Sequence, residues 1–151
     1  MTELSGLYQD VILEHNRSPR NFRRMDDADS HAEGRNPLCG DQLTVWLKLS
    51  GDRVSDVSFE GSGCAISKAS ASLMTTAVKG KSRGEIDRLF RQFHEVVTGK
   101  SPPQDGSRRE LGKLAVFSGI ASFPVRVKCA TLSWHALKAA LERPSGSVST
   151  E

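Results

Sequence analysis

The sequence predicts a single domain in which one antiparallel hairpin is combined with several helices. At 151 residues the chain has the size of one domain and can bury roughly 68–70 % of the surface of its unfolded form. Residues 43–49 alternate apolar with polar side chains, and after the turn Ser50-Gly51-Asp52 a second run follows with one step out of register. This pattern is typical of a half-buried hairpin that contains a bulge. We expect residues 1–143 to form the domain and residues 144–151 to form a flexible tail.

Apolar residues at helical spacing predict helices on both sides of this hairpin. Thr2 is expected to cap the first of them, and a capping box begins at Ser82. The predicted helices span residues 2 to about 16, 65–79, 82–99 and about 110–117, and a last helix begins at Lys128-Cys129. Residues 20–35 show no clear period, so we expect a loop there with an edge strand near residues 31–34. Residues 119–127 are expected to be irregular.

The composition argues against several classes of function. The net charge is only +3, basic residues are scattered, and one Tyr and two Trp are present, so we expect no nucleic-acid partner. Apolar runs are far shorter than about 20 residues, so we expect no transmembrane helix and no membrane partner. The first residues lack the features of a secretory signal, and three cysteines are an odd number for a disulfide framework. We therefore expect a reducing, cytoplasmic location.

One stretch, residues 36–41, places a thiol and a carboxylate two positions apart in the sequence Asn-Pro-Leu-Cys-Gly-Asp. Pro37 fixes φ and removes a donor, while Gly40 permits a sharp turn of the backbone. Cys39 and Asp41 are therefore expected to point toward one centre rather than to opposite faces of a strand.

Cys64 and Cys129 each lie where a loop is expected to become a helix. Free N–H groups and the macrodipole at a helix N-terminus favour the thiolate, and the hairpin would bring Cys64 back to Cys39. Three thiols and one carboxylate form a complete tetrahedral zinc set, or most of a site for an iron–sulfur cluster. Buried structural cysteines are the alternative. Paired C-x-x-C spacing is absent, so spacing alone identifies no metal family.

Arg126 and Lys128 flank the third cysteine. Zinc held by three thiolates and one carboxylate carries a net charge of about −2, which neighbouring cations would partly offset. Solvated surface charge is the alternative interpretation, and the functional interpretation is stronger for Lys128 than for Arg126. The histidines are not expected to be ligands; they are His15, His31, His94 and His135.

Four sequence blocks resemble the NifU N-terminal/IscU superfamily, and they occur in the same order over nearly the whole chain. The blocks are residues 7–15 with Pro19, residues 36–41, residues 61–67 and residues 126–132. Within the superfamily the sequence is most similar to the SufU branch. Lys128 stands where IscU-type scaffolds carry a histidine ligand, and the segment between Cys64 and Cys129 is longer, owing to an insert around residues 99–112.

The resemblance implies an α+β fold, with a small antiparallel sheet packed against several helices, and a site made from three cysteines and one aspartate. For the SufU branch it implies bound zinc and a SufS-type, PLP-dependent cysteine desulfurase as the partner, within the cluster-assembly scaffold machinery. The sulfur acceptor would be Cys39, and the metal ligands would be Cys39, Asp41, Cys64 and Cys129.

Two other functions remain open at this stage. The same ligands could hold a [2Fe–2S] cluster that is assembled on the protein and transferred, although the absence of a histidine at position 128 argues against it. A purely structural zinc domain is the third interpretation. An aspartate ligand is unusual in closed structural zinc sites, and a chain of this length can fold without metal.

Overall fold

The structure, a computed structural model, describes residues 2–100, 111–142 and 146–149, and the side chains of residues 10–100 and 111–142. Its helices are α1 (Thr2–Arg17), α2 (Ala65–Val78), α3 (Arg83–Val97) and α4 (Pro124–Glu142), with a 3-10 segment at Gly112–Ser122. Its strands are β1 (Ser30–Asn36), β2 (Asp41–Ser50), β3 (Arg53–Ser62) and β4 (Gly146–Ser149). The predicted α+β fold is confirmed.

The described strands form one sheet in the order β3-β2-β1-β4. The predicted hairpin is β2 and β3, which pair antiparallel, and the expected bulge lies opposite the Lys48/Leu49 step. The strand predicted near residues 31–34 is confirmed as part of β1, but its position at the sheet edge was wrong, because β1 pairs with β2 on one side and with β4, in parallel, on the other. Residues Gly146–Ser149 belong to the stretch that was expected to be a flexible tail, and they form β4.

The core lies between one face of the sheet and the helices. The inward side chains of β2 alternate with outward polar ones, as the period of two requires. Helix α4 packs on β1 and β2, and α2 packs on β3 and α4. Trp134 of α4 is fully buried and stacks on Phe93 of α3, with ring centroids 5.0 Å apart. The capping box at Ser82 is present and begins α3 as predicted.

Helix α4 begins at Pro124, and the prediction that it begins at Lys128-Cys129 was therefore wrong. Proline is tolerated in the first turn of a helix, where its missing N–H would have no intrahelical partner. The Phe123 carbonyl accepts the N–H groups of Arg126 and Val127 and so starts the helix. The predicted helix over residues 110–117 is, from Gly112 onward, a 3-10 segment that continues to Ser122, and residue 110 lies outside the described residues.

A buried histidine, His15, links α1 to α2 through its contact with Ser72. Its ring Nδ1 lies 2.7 Å from Ser72 Oγ, and the same hydroxyl accepts the Arg20 backbone N–H at 2.8 Å. Ser72 Oγ can donate its own proton to Nδ1 of a neutral His15 ring, whereas a protonated ring carries a proton on Nδ1 and cannot accept it. Burial, followed by the charge of Arg20, lowers the pKa of His15.

Mild acidification is expected to destabilise the protein partly through this histidine. A base with a lowered pKa in the folded state binds fewer protons than it does in the unfolded chain, so its contribution to stability is complete above pH ~6.5 and is lost as pH falls below that value. The measurement is urea unfolding at about pH 7.5 and about pH 5.5 for the wild type and His15→Asn, which keeps a neutral acceptor near Nδ1. We expect a smaller loss of unfolding free energy in the variant. Equal losses in both proteins would show that His15 does not contribute.

Candidate metal centre

The turn between β1 and β2 presents the first thiol. The Asn36 carbonyl accepts the Cys39 N–H at 3.2 Å, with Pro37 at the second position of the turn. Gly40 has a φ of 71°, in the left-handed region that favours glycine. The turn leaves the Cys39 side chain half-buried, and the chain enters β2 at Asp41.

Asp41 is buried at the point where the other end of the hairpin returns. Its Oδ1 accepts the Cys64 backbone N–H at 2.8 Å, and its Oδ2 lies 3.7 Å from Cys64 Sγ. A Cβ atom on Gly63 would lie 2.5 Å from Asp41 Oδ1, so only glycine leaves room for the carboxylate. Cys64 caps α2, and its Sγ accepts the Ser67 N–H at 3.4 Å. The predicted loop-to-helix junction at Cys64 is confirmed.

Cys129 lies in the second turn of α4, so the N-terminal position expected for it was wrong. Its buried Sγ lies 3.2 Å from Cys39 Sγ, and Asn36 Nδ2 donates to it at 3.6 Å. Burial, and then the contact with Cys39, raises the pKa of the Cys129 thiol well above its usual range. A positive charge such as that of a metal ion would favour the ionised form of this thiol, which lies too far into α4 to benefit from the helix N-terminus.

The structure brings three of the four predicted ligands into one tight group. The Sγ atoms of Cys39 and Cys129 and a carboxylate oxygen of Asp41 all lie within 4.8 Å of one another. Ligands of a tetrahedral zinc ion are separated by about 3.3–3.8 Å, so small side-chain movements would suffice. Cys64 lies outside this group but adjoins it, with its Sγ 3.7 Å from Asp41 Oδ2, and it would add a third sulfur to the donor set. Thiolate and carboxylate ligands of this kind fit zinc.

Arg126 is an exposed cation whose pKa is affected by the thiols of the site. The contact with Cys129, followed by the charge of Cys64, raises the pKa of Arg126. Arg126 and Cys129 both belong to α4, because this helix begins at Pro124. Since they are three residues apart, they lie on one face of the helix. Lys128 was favoured over Arg126 from the sequence, and its role remains a prediction. Asn36 was missed, although its position in the cysteine-bearing stretch was a usable signal.

The fold and this thiol–carboxylate centre define a small α+β protein with a site that could hold a metal. The family model of the NifU-like N terminal domain matches residues 7–130. The chain belongs to this family.

Curated relatives cover almost the whole chain. It is 41 % identical over 143 residues to the zinc-dependent sulfurtransferase SufU of Bacillus subtilis, covering 95 % of each chain. It is 38 % identical over 147 residues to the iron–sulfur cluster assembly scaffold protein IscU of Streptococcus pyogenes, covering 97 % of this chain and 90 % of the relative.

The fold is similar to that of solved structures. A putative iron–sulfur cluster assembly scaffold protein for the SUF system from Fervidobacterium islandicum matches with a TM-score of 0.81 and 32 % identity, over 87 % of this chain and 94 % of that one. Within the part of the chain that the structure describes, no helix is both long enough and apolar enough to cross a membrane.

Adding a methyl group at position 63 is expected to weaken metal binding. In Gly63→Ala the new Cβ would collide with Asp41 Oδ1 and force the carboxylate away from the thiols. Changes next to metal ligands reduce affinity by roughly 10- to 100-fold, which competition with a chromophoric zinc chelator can measure. The matched control is Gly84→Ala, where a new Cβ meets no atom within 4 Å. Equal zinc affinity in the two variants would contradict a role for Asp41 in the site.

Proposed function

We propose that this protein is a zinc-dependent sulfur acceptor for iron–sulfur cluster assembly, which takes persulfide sulfur from a SufS-type cysteine desulfurase. The observation that carries the proposal is the group formed by Cys39, Asp41 and Cys129, in which Cys39 is the half-exposed member. A thiol at the edge of a metal-competent group can be both a ligand and a nucleophile. The family and the sulfurtransferase relative support the same conclusion.

The zinc would be held by Cys39, Asp41, Cys64 and Cys129. Bound zinc would keep these thiols ionised at neutral pH and restrain their reactivity until a docking partner supplies a substitute donor. Asp41, Cys64 and Cys129 are the three ligands that would stay in place. The Cys64 N–H and Asn36 Nδ2 fix Asp41 and Cys129 respectively.

Sulfur transfer would then be a thiol–disulfide type of exchange. The Cys39 thiolate attacks the terminal sulfur of the partner's persulfide, and a new S–S bond forms on Cys39. The partner's S–S bond breaks, and its cysteine leaves as a thiolate. The persulfide is passed on without a net change of oxidation state, so no oxidant or reductant is required.

The surface near the site suits a docking partner. Among the described side chains, three of the five exposed large apolar ones belong to the two segments that carry Cys39 and Cys129. Leu38 is 63 % exposed, Phe123 62 % and Val125 52 %. Exposed apolar groups with a neighbouring cation, Arg126, are typical of an interaction site.

A [2Fe–2S] scaffold is the second candidate function. The Streptococcus pyogenes relative is named a scaffold and covers nearly the whole chain, and the same donor set could hold a cluster. Lys128 argues against it, because it leaves no imidazole beside Cys129. Metal analysis of protein purified without added iron separates the two: about one zinc per chain supports the acceptor, and bound iron with sulfide supports the scaffold.

Removal of the Cys39 thiol is expected to abolish sulfur acceptance. The wild-type protein, added to a SufS-type desulfurase with cysteine, should raise the rate of alanine formation well above that of the desulfurase alone. Cys39→Ala should return the rate to the unstimulated value, because no nucleophile remains to receive the sulfur. A wild-type protein that leaves the desulfurase rate unchanged, or a variant that still stimulates, would overturn the proposal.

Removal of one exposed aromatic side chain is expected to weaken docking without affecting zinc. Burial of a side chain the size of Phe123 contributes about 1.5–3 kcal/mol, so Phe123→Ser should raise the concentration needed for half-maximal stimulation roughly 10- to 100-fold. The matched control is Leu13→Ser, which removes an exposed apolar side chain from α1, a helix that packs on α2 and the 3-10 segment. If both variants behave alike in this titration, the surface at Phe123 is not the docking site.

A further inference from the structure

We infer that Asn36 is a positioning residue of the metal centre, which holds the Cys129 thiolate through its side-chain amide so that Cys39 is the thiolate left free to react. The inference rests on the proposed metal site and adds a residue to it. Asn36 is the last residue of β1 and is fully buried. In the β1–β2 register it stands opposite Asp41.

Asn36 contacts both thiol-bearing segments, but in different ways. Its backbone carbonyl accepts the Cys39 N–H at 3.2 Å, which fixes the turn but does not involve the sulfur. Its side-chain Nδ2 donates to Cys129 Sγ at 3.6 Å, which does involve the sulfur. Rotation of the amide would place its carbonyl oxygen against the sulfur, where a thiol could donate its proton but a thiolate would set two acceptors against each other. The observed orientation is therefore the one that a thiolate requires.

The carbonyl oxygen of the Asn36 amide indicates that this side chain does not complete a polar network. Asn36 Oδ1 is buried and has no hydrogen-bond partner among the described residues. A buried carbonyl without a partner is unfavourable for folding. The part of the Asn36 amide that makes a hydrogen bond is therefore its N–H group, and the acceptor is the sulfur of Cys129.

An N–H···S hydrogen bond to a metal-bound thiolate withdraws negative charge from the sulfur and fixes the orientation of the cysteine side chain. Cys129 is held in this way and is buried, whereas Cys39 is held by its backbone and is half-exposed. The sulfur atoms of the two thiols lie 3.2 Å apart, so both can reach one metal ion, but the Cys39 side chain has more conformational freedom than that of Cys129. This difference selects Cys39 as the leaving ligand.

The direct test uses the wild-type chain loaded with a spin-active cadmium isotope. The side-chain amide protons of Asn36 should show scalar coupling to the metal nucleus, transmitted through the hydrogen bond and Cys129 Sγ. A protein that binds one cadmium ion and shows no such coupling would overturn the inference while leaving the metal site intact. A protein that takes up no cadmium would overturn the metal site itself, and the inference with it; metal analysis distinguishes the two outcomes.

The second test compares two buried polar residues at opposite ends of β1. Asn36→Ala should lower zinc affinity by roughly 10- to 100-fold, as other changes around metal ligands do. Ser30→Ala removes a buried Oγ that also has no partner in the described part of the chain, and it should leave zinc affinity unchanged. Persulfide mapping after reaction with the desulfurase should find sulfur on Cys39 alone in the wild type and on both Cys39 and Cys129 in Asn36→Ala. Equal zinc affinities and identical persulfide positions in the two variants would overturn the inference.

Discussion

The hydrogen bond from the Cys64 backbone N–H to Asp41 Oδ1 closes the β2–β3 hairpin at the point where the site is built. It joins the first residue of β2 to the cap of α2, so the sheet and the helix cannot move apart without breaking it. The space for this bond exists only because residue 63 is glycine. The thiols of Cys39 and Cys129 reach the same point from the β1–β2 turn and from α4. They converge on the Asp41 carboxylate, whose position this hydrogen bond already fixes.

Local signals were sufficient for the parts of the fold that depend on neighbouring residues. The alternation of β2, the bulge in the hairpin and the capping box at Ser82 are all encoded within about ten residues, and all were predicted correctly. The pairing of β1 with β4 was not predictable in this way, because it joins segments that are more than 100 residues apart in the sequence. The hydrophobic periodicity and the secondary-structure propensity of a segment carry no information about a contact between such distant segments.

The hairpin was expected to bring Cys64 back to Cys39. The group that the structure brings together is instead Cys39, Asp41 and Cys129, and Cys64 adjoins it through Asp41. The error in the start of α4 came from Pro124, which was interpreted as part of an irregular run although proline is favoured at the first position of a helix. Once α4 begins there, Cys129 moves into the helix body and its thiol pKa is raised by burial, not lowered by the helix terminus.

This correction changes how the charges of the site are balanced. Burial raises the pKa of the Cys129 thiol, so a positive charge nearby would favour its ionised form. Arg126 supplies one positive charge from the exposed side, and a metal ion would supply the remainder from within. The donor atoms of Cys39, Asp41 and Cys129 lie close enough together that this group could hold such an ion.

The site is divided into a buried part that can hold a metal and an exposed part that can meet another protein. Asn36, Asp41 and Cys129 are buried, whereas Leu38, Phe123, Val125 and Arg126 are exposed. Cys39, which is half-buried, belongs to both parts. The relatives include one named a sulfurtransferase and one named a scaffold, so membership of the family does not by itself determine what the centre does. In the proposed mechanism, the exposed part would determine which partner reaches Cys39, and the buried part would determine whether Cys39 is the thiol that leaves the metal.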